Sequence, residues 1–518
     1  MSVATAASPA ATPRSVAIGR AGLYLATFMA VFDIAVVYLA LPSMERSIGA
    51  SLSDQQWIAS AYGLMEAGFT VAAGTLGDLY GRKRVYIIGV CTFILASIAS
   101  GLAPNAMVLI GARFVQGIGG AIAMALPLAL LVAMVDGEKA TAAAIRTYAT
   151  IAGMGAVTAP ALGGLLVHAL GWRSIFFVNV PVAAFVLYAA FAHTVESPRD
   201  PDKRLDLGGQ ITSALALLAF SFAVIEGGTF GWGSPTIVGA AALAIACAVA
   251  FVAIERRVAC PMIHVRLLRE PLLAAGVWAL LLMNTGFFTL YLIASLFLQN
   301  VARLDALTAG WYLLSNNLLF FLVNQFSGPF VRRVGERAAS LLGMGLGTLG
   351  LATFVFFRPS SPPMLAVLPL ALCGLGWGLA FTPINALAME VVPKSDDGLA
   401  AGMLSLGRPL GAVFGTAVFG SVLAAFMKQS LSAGLTSVHA GAAASAGITA
   451  AVRQRGLWSL LGEAQHFGVP TNALRASVDA GFVVGVHVSG VVAALASIGA
   501  IVYAAAAFRR RPVASAAP

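Results

Sequence analysis

The chain has 518 residues, of which 59% are hydrophobic and only 10% charged, with a mean hydropathy of +0.90. A soluble domain carries about 25% charged residues, so this sequence cannot clothe a water-facing surface, and a soluble enzyme is excluded. The net charge of +10 does not indicate nucleic acid, because the Lys and Arg residues lie between apolar runs rather than in one patch.

The first 19 residues are rich in Ala, Ser and Pro, with Arg14 as their only charge. They read as a cytoplasmic tail (1–20) and not as a cleaved leader. A helix needs about 20 mostly apolar residues to cross the hydrocarbon. Fourteen runs satisfy this, near 21–42, 55–77, 85–103, 107–135, 141–168, 174–195, 207–226, 235–255, 272–299, 306–330, 338–357, 364–389, 398–427 and 481–506. Placing the N-terminus inside puts 21 of the 31 Lys and Arg on that side and 8 on the other, with Arg113 and Arg408 inside spans. Short basic loops stay cytoplasmic, so both termini are expected inside. Cys91, Cys247 and Cys373 fall in apolar runs and Cys260 in an inner loop, so no disulfide is expected.

A repeat at an offset of 254 residues matches Gly74-Thr-Leu-Gly-Asp78-Leu-Tyr-Gly81-Arg82-Lys83 with Gly328-Pro-Phe-Val-Arg332-Arg-Val-Gly335-Glu-Arg337. Both copies follow the second helix of a half, which implies two related six-helix bundles. The expected architecture is all-α and membrane-embedded. It comprises an N-terminal bundle at 21–195, an inserted pair at 207–255 that serves as a spacer, and a C-terminal bundle at 272–506. An extracytoplasmic loop at 428–480 and a tail at 507–518 complete it.

A charge within lipid is costly and normally faces a cavity or a partner. Asp33 and Glu66 are the two acids near the middle of predicted spans. Each is a candidate proton carrier, since desolvation disfavours the charged form of a carboxyl; the alternative for Asp33 is a structural pair with a buried base such as Arg113, and for Glu66 a similar structural role. Arg113, Gln116, Gly117 and Gly120 share one helix face. Tyr62 and Thr70 lie one turn to either side of Glu66, and no base lies on that stripe, which suggests a site for cations. Further cavity candidates are Asn284, Phe288, Tyr291 and Ser295 in the ninth span, Asn317, Asn324 and Gly328 in the tenth, and Arg408 in the thirteenth. Such polar residues also serve as glue between helices.

Several motifs in order resemble those of the fourteen-helix drug:proton antiporters of the major facilitator superfamily. Gly74, Asp78, Gly81, Arg82 and Lys83 resemble the superfamily's loop motif, and Phe32-Asp33-Ile-Ala-Val-Val-Tyr-Leu-Ala-Leu-Pro42 its first-helix signature. Arg113-Phe-Val-Gln116-Gly117-Ile-Gly119 is similar to the fourth-helix motif. Gly155, Ala159, Pro160, Gly163 and Gly164 resemble the antiporter motif of the fifth, with Ala159 where the family usually has Gly. Trp172-Arg173, Phe176-Phe-Val-Asn179-Val-Pro181 and Arg408-Pro-Leu-Gly411 extend the match.

The resemblance implies gating by the loop motif, whose charges would pair across the bundle interface, and antiport set by the fifth-helix block. It implies export of small amphipathic, cationic or multiple drug-like compounds by alternating access, driven by protons with no cofactor. Partners would be the lipid bilayer, the substrate and protons. The chain would act as a monomer in a bacterial inner membrane, with a periplasmic adaptor left open. Export of one specific natural product, or proton-linked uptake, are alternatives; the fifth-helix block argues against uptake. No metal-spaced His/Asp/Glu cluster, Walker loop or Gly-x-Ser-x-Gly elbow supports an enzyme.

Overall fold

A computed structural model describes residues 13–509 apart from 201–203, 259–260, 264–265, 394–396, 456 and 458–468. Cys260, Lys394 and the outer parts of both tails therefore lie outside the described residues. The described residues form helices α1 (Pro13–Ile48), α2 (Leu52–Tyr80), α3 (Arg82–Leu102), α4 (Ala106–Ala133), α5 (Glu138–Leu170) and α6 (Ser174–His193). Next come α7 (Leu207–Phe230), α8 (Pro235–Glu255), α9 (Pro271–Val301), α10 (Ala306–Phe326), α11 (Glu336–Phe356), α12 (Pro363–Met389), α13 (Gly398–Ser437) and α14 (Thr471–Arg509).

Thirteen of these are long and apolar enough to cross a membrane. The other, α2, is 29 residues long. Its length suffices at 1.5 Å per residue, but Asp54, Gln55, Gln56, Glu66 and Asp78 dilute its apolarity. Large apolar side chains such as Leu95, Phe191 and Ile245 point outward, the inverse of a soluble surface and the expected arrangement in lipid.

The helix ends follow from local chemistry. Ser51 and Asp54 form a reciprocal capping box at the start of α2, and Asn105 caps α4 by accepting from Val108 N. The repeat is also visible in the backbone. Gly81 and Gly335 both have positive φ, +100° and +85°, and each ends one helix and starts the next. Only glycine takes that conformation without strain. One difference separates the copies: α10 stops at Phe326 and the short helix Gly328–Val334 follows, so Gly328 does not continue the α10 stripe.

Helices α1–α6 pack on one another, as do α9–α14. The two groups meet where α5 faces α10, α2 faces α13 and α1 faces α9. Helix α7 reaches both groups: Gln210 Nε2 donates to Gly68 O of α2, and Phe220 stacks edge-on against Phe414 of α13 with ring centres 5.0 Å apart. Helix α8 packs mainly on α7. Helix α13 runs ten residues beyond its expected end, and α14 begins ten residues earlier. The intervening segment holds a further helix, Ala442–Arg455.

Candidate transport site

A cavity of about 620 Å³ lies between the bundles. Its lining comes from the middle and one end of the helices: Glu66, Thr70 and Gly74 of α2, Met124 and Leu128 of α4, Tyr148 of α5, Asn284 of α9, Phe381 and Asn385 of α12, and Ser405 and Arg408 of α13. These positions approach the loops after α2, α4 and α12 and before α5, so the cavity opens on the side of the basic loops.

At the opposite side the bundles are sealed together. Pro42 has no N–H, so the carbonyl of Tyr38 one turn earlier lacks its usual helical partner. Ser295 Oγ of α9 donates to that carbonyl at 2.8 Å, and Gln299 Nε2 donates to Leu39 O at 2.9 Å. Gln299 projects from a π-helical turn, Phe297–Val301, at the end of α9. The Tyr38 hydroxyl also bonds Thr416 of α13 at 2.9 Å. Nearby, small residues bring α5 against α10. A Cβ on Gly310 would lie 2.3 Å from Pro160 O, and one on Gly164 would lie 2.7 Å from Ala306 O. Gly155 and Gly163 abut Phe28 and Val36 of α1, and Ala159 is fully buried. The α5 block is thus packed on both sides. His168 and Asp305 pair across the same seam at 3.0 Å; bonds from Thr308 and, less, the nearby His168 hold the Asp305 carboxyl below its usual range.

Asp33 is completely buried and does not reach the cavity. Arg113 Nη1 donates to its Oδ2 at 2.5 Å, Gln116 Nε2 to its Oδ1 at 2.9 Å and Asn179 Nδ2 to the same oxygen at 2.8 Å. Arg113 also lies over the Tyr62 ring, 4.6 Å from its centre. The pairing of Asp33 with Arg113, given above as the alternative to a proton carrier, is made here, with Asn179 completing it; a polar residue near the start of an apolar span was the available signal for Asn179.

Glu66 differs from the expectation. Arg408 pairs with it across the bundle interface, so a base does face its stripe, supplied by α13 rather than by α2. The Glu66 side chain is 3% exposed and that of Arg408 30%.

The remaining candidates divide by location. Asn284, Arg408, Glu66 and Gly74 line the cavity, whereas Tyr62, Gln116, Phe288, Tyr291 and Asn317 are buried in packing between helices. Asn317 Nδ2 donates to Ala156 O at 2.5 Å, joining α10 to α5, and Asn324 accepts from Thr382 Oγ1 outside the cavity. Tyr148 and Asn385, which were not among the sequence candidates, also line the cavity.

The loop motif is also placed differently from expectation. Asp78 pairs with Arg82 at 2.9 Å, Lys83 Nζ donates to Phe191 O and Thr194 O, and Glu196 accepts from the backbone N–H groups of Lys83 and Arg84. Those contacts stay within the first bundle, because the bundles are apart on this side. Among the described residues, no group of three or more His, Cys, Asp or Glu side chains gathers as a metal site.

The Major Facilitator Superfamily model matches residues 23–416. The chain belongs to the major facilitator superfamily. It is 40% identical over 408 residues to the multidrug resistance protein Stp of Mycobacterium tuberculosis, covering 79% of this chain and 76% of that one. It is 34% identical over 408 residues to the drug efflux pump JefA of the same organism, covering 79% and 80%. A solved bacterial homologue of the human lysosomal transporter Spinster, inward-facing and unoccupied, shares the fold with a TM-score of 0.68 at 16% identity, covering 97% of this chain and all of that one.

Proposed function

We propose that this chain is a proton-coupled antiporter that exports small amphipathic molecules from a bacterial cytoplasm across the inner membrane, working as a monomer by alternating access. The observation that carries the reading is the cavity, open on the basic side and sealed on the other, with a Glu66–Arg408 pair spanning the two bundles at its lining. The names of the relatives, a multidrug resistance protein and a drug efflux pump, support export of drug-like compounds. Helix α2 serves as the fourteenth span, the bundles run 21–195 and 272–506, and α7–α8 flank their interface.

In this reading Glu66 exchanges protons with the inner cavity. Asp33, paired with Arg113 toward the sealed side, does so when that side opens. Binding is reciprocal with proton release, because substrate and proton favour different states of the same bundles. One charge moving through 100 mV supplies about 2.3 kcal/mol, roughly 50-fold accumulation per proton. Adding substrate to energised everted membrane vesicles should partly collapse their pH gradient; an unchanged gradient would refute proton antiport.

Two further outcomes follow. Cysteines placed singly at 303 and 436 should react with an impermeant maleimide from outside, and those at 82 and 200 only after the membrane is opened. Outside labelling at 82 or 200 would overturn the fourteen-span topology. Asp78→Asn removes the partner of Arg82 and leaves the cavity lining intact, so it should slow turnover while substrate affinity stays constant. A changed affinity at constant turnover would contradict a gating role.

A further inference from the structure

We propose that the cavity selects amphipathic molecules carrying a cationic and an anionic group together, with the cation seated against Glu66 and the anion against Arg408. The proposal rests on the exporter reading and names the class of substrate for the same site.

Among the described residues lining the cavity, Glu66 and Arg408 are the two charged side chains, opposite in sign and already paired. They come from different bundles, α2 and α13. The rest of the lining is apolar, from Val71, Met124, Leu128 and Phe381, or neutral and polar. Its amides are neutral and carry no charge to replace a displaced partner, and Asn284 and Asn385 each commit one N–H to a carbonyl of their own helix, Leu280 O and Phe381 O, at 2.8 Å.

A ligand that takes over the paired atoms, Arg408 Nη2 or Glu66 Oε1, displaces the other member. A molecule with only a negative charge takes Arg408 and strands Glu66, a nearly inaccessible carboxylate. A molecule with only a positive charge takes Glu66 and leaves the guanidinium to what water its partial exposure allows. An ion removed from a buried pair leaves an uncompensated charge, which is the costly outcome. A ligand with both charges replaces both halves of the bond. It also keeps α2 and α13 bridged, now through itself, so an occupied transporter retains the cross-bundle link that the empty one has. The volume fits, since sites for drug-sized ligands measure about 300–1,000 Å³.

Rhodamine 110 and rhodamine 123 test this, because they share a fluorophore and differ in one methyl ester: the first carries cation and carboxylate, the second the cation alone. Fluorescence anisotropy of the full chain in lipid nanodiscs should show rhodamine 110 binding about tenfold more tightly. Arg408→Gln should erase that advantage, weakening rhodamine 110 and tightening rhodamine 123, which no longer has to strand a guanidinium, whereas Glu66→Gln should weaken both dyes. Arg408→Lys keeps the charge and should preserve the rank order, which guards against a variant that fails to fold. Equal or tighter binding of rhodamine 123 by the unsubstituted protein would overturn the proposal, as would binding of neither dye. The two readings fail separately. Proton-driven transport of both dyes with equal affinities sinks the substrate class alone, and tight binding of rhodamine 110 without gradient-driven transport of either dye sinks the exporter reading alone.

Discussion

Asp33→Asn is expected to abolish gradient-driven export. The carboxylate accepts from Arg113, Gln116 and Asn179 in a site with no exposure, so the substitution does two things at once. It removes a titratable group, and it leaves Arg113, itself 1% exposed, as an unpaired buried cation. Breaking one side of such a pair costs about 3–5 kcal/mol, enough to reduce the yield of folded protein. The double substitution Asp33→Asn, Arg113→Gln separates the two effects, because a neutral pair of amides removes the stranded charge. It should restore the yield of folded protein in the membrane, with substrate accumulation still lower by roughly 50-fold, the worth of one proton at 100 mV. Full accumulation by the double variant would make the pair purely structural. Arg113→Ala should behave like the single Asp33 variant, with a stranded acid in place of a stranded base.

The second large effect is expected at the sealed side. Gly310 lies so close to Pro160 that a Cβ would sit 2.3 Å from the carbonyl oxygen. Backbone cannot swing aside as a side chain can, so Gly310→Val must push α10 from α5. Overpacking of this kind costs about 1–3 kcal/mol, and the strain falls only on the state in which the seam is closed. The ratio of sealed to open outer gates should therefore fall by roughly 5- to 150-fold. Spin labels at Arg46 and Arg303, both exposed at the sealed ends of the bundles, report the change. The distance between them should lengthen in the Gly310→Val protein, and an unchanged distribution would mean that the seam does not govern closure.

Much of this was legible in the sequence because lipid leaves few options. Apolar runs of about 20 residues mark spans, and the Gly81–Gly335 correspondence follows from a turn that requires positive φ in both halves. Asp33 and Arg113 could be paired on paper because two opposite charges within lipid seek each other. Glu66 and Arg408 could not: they are 342 residues apart, and their meeting depends on how α2 docks against α13. The docking of α10 on α5 likewise turned Asn317 from a cavity candidate into a clasp on Ala156 O, since an amide in a span bonds whatever carbonyl its neighbour presents. The seal through Tyr38 and Leu39 was not read from the sequence. Pro42 stood in the sequence only as the end of a motif, and the π-helical turn that aims Gln299 at Leu39 O has no sequence signature.

The most direct measurement of proton-coupled export uses the purified chain in proteoliposomes, with an imposed pH gradient and a fluorescent amphipathic dye outside. Molecules inserted with the basic loops facing out should concentrate dye in the lumen when the lumen is acidic. That uptake should vanish when a protonophore collapses the gradient and be absent with the Asp33→Asn, Arg113→Gln protein. Dye accumulation that persists without a gradient, or that never occurs with one, would contradict the account.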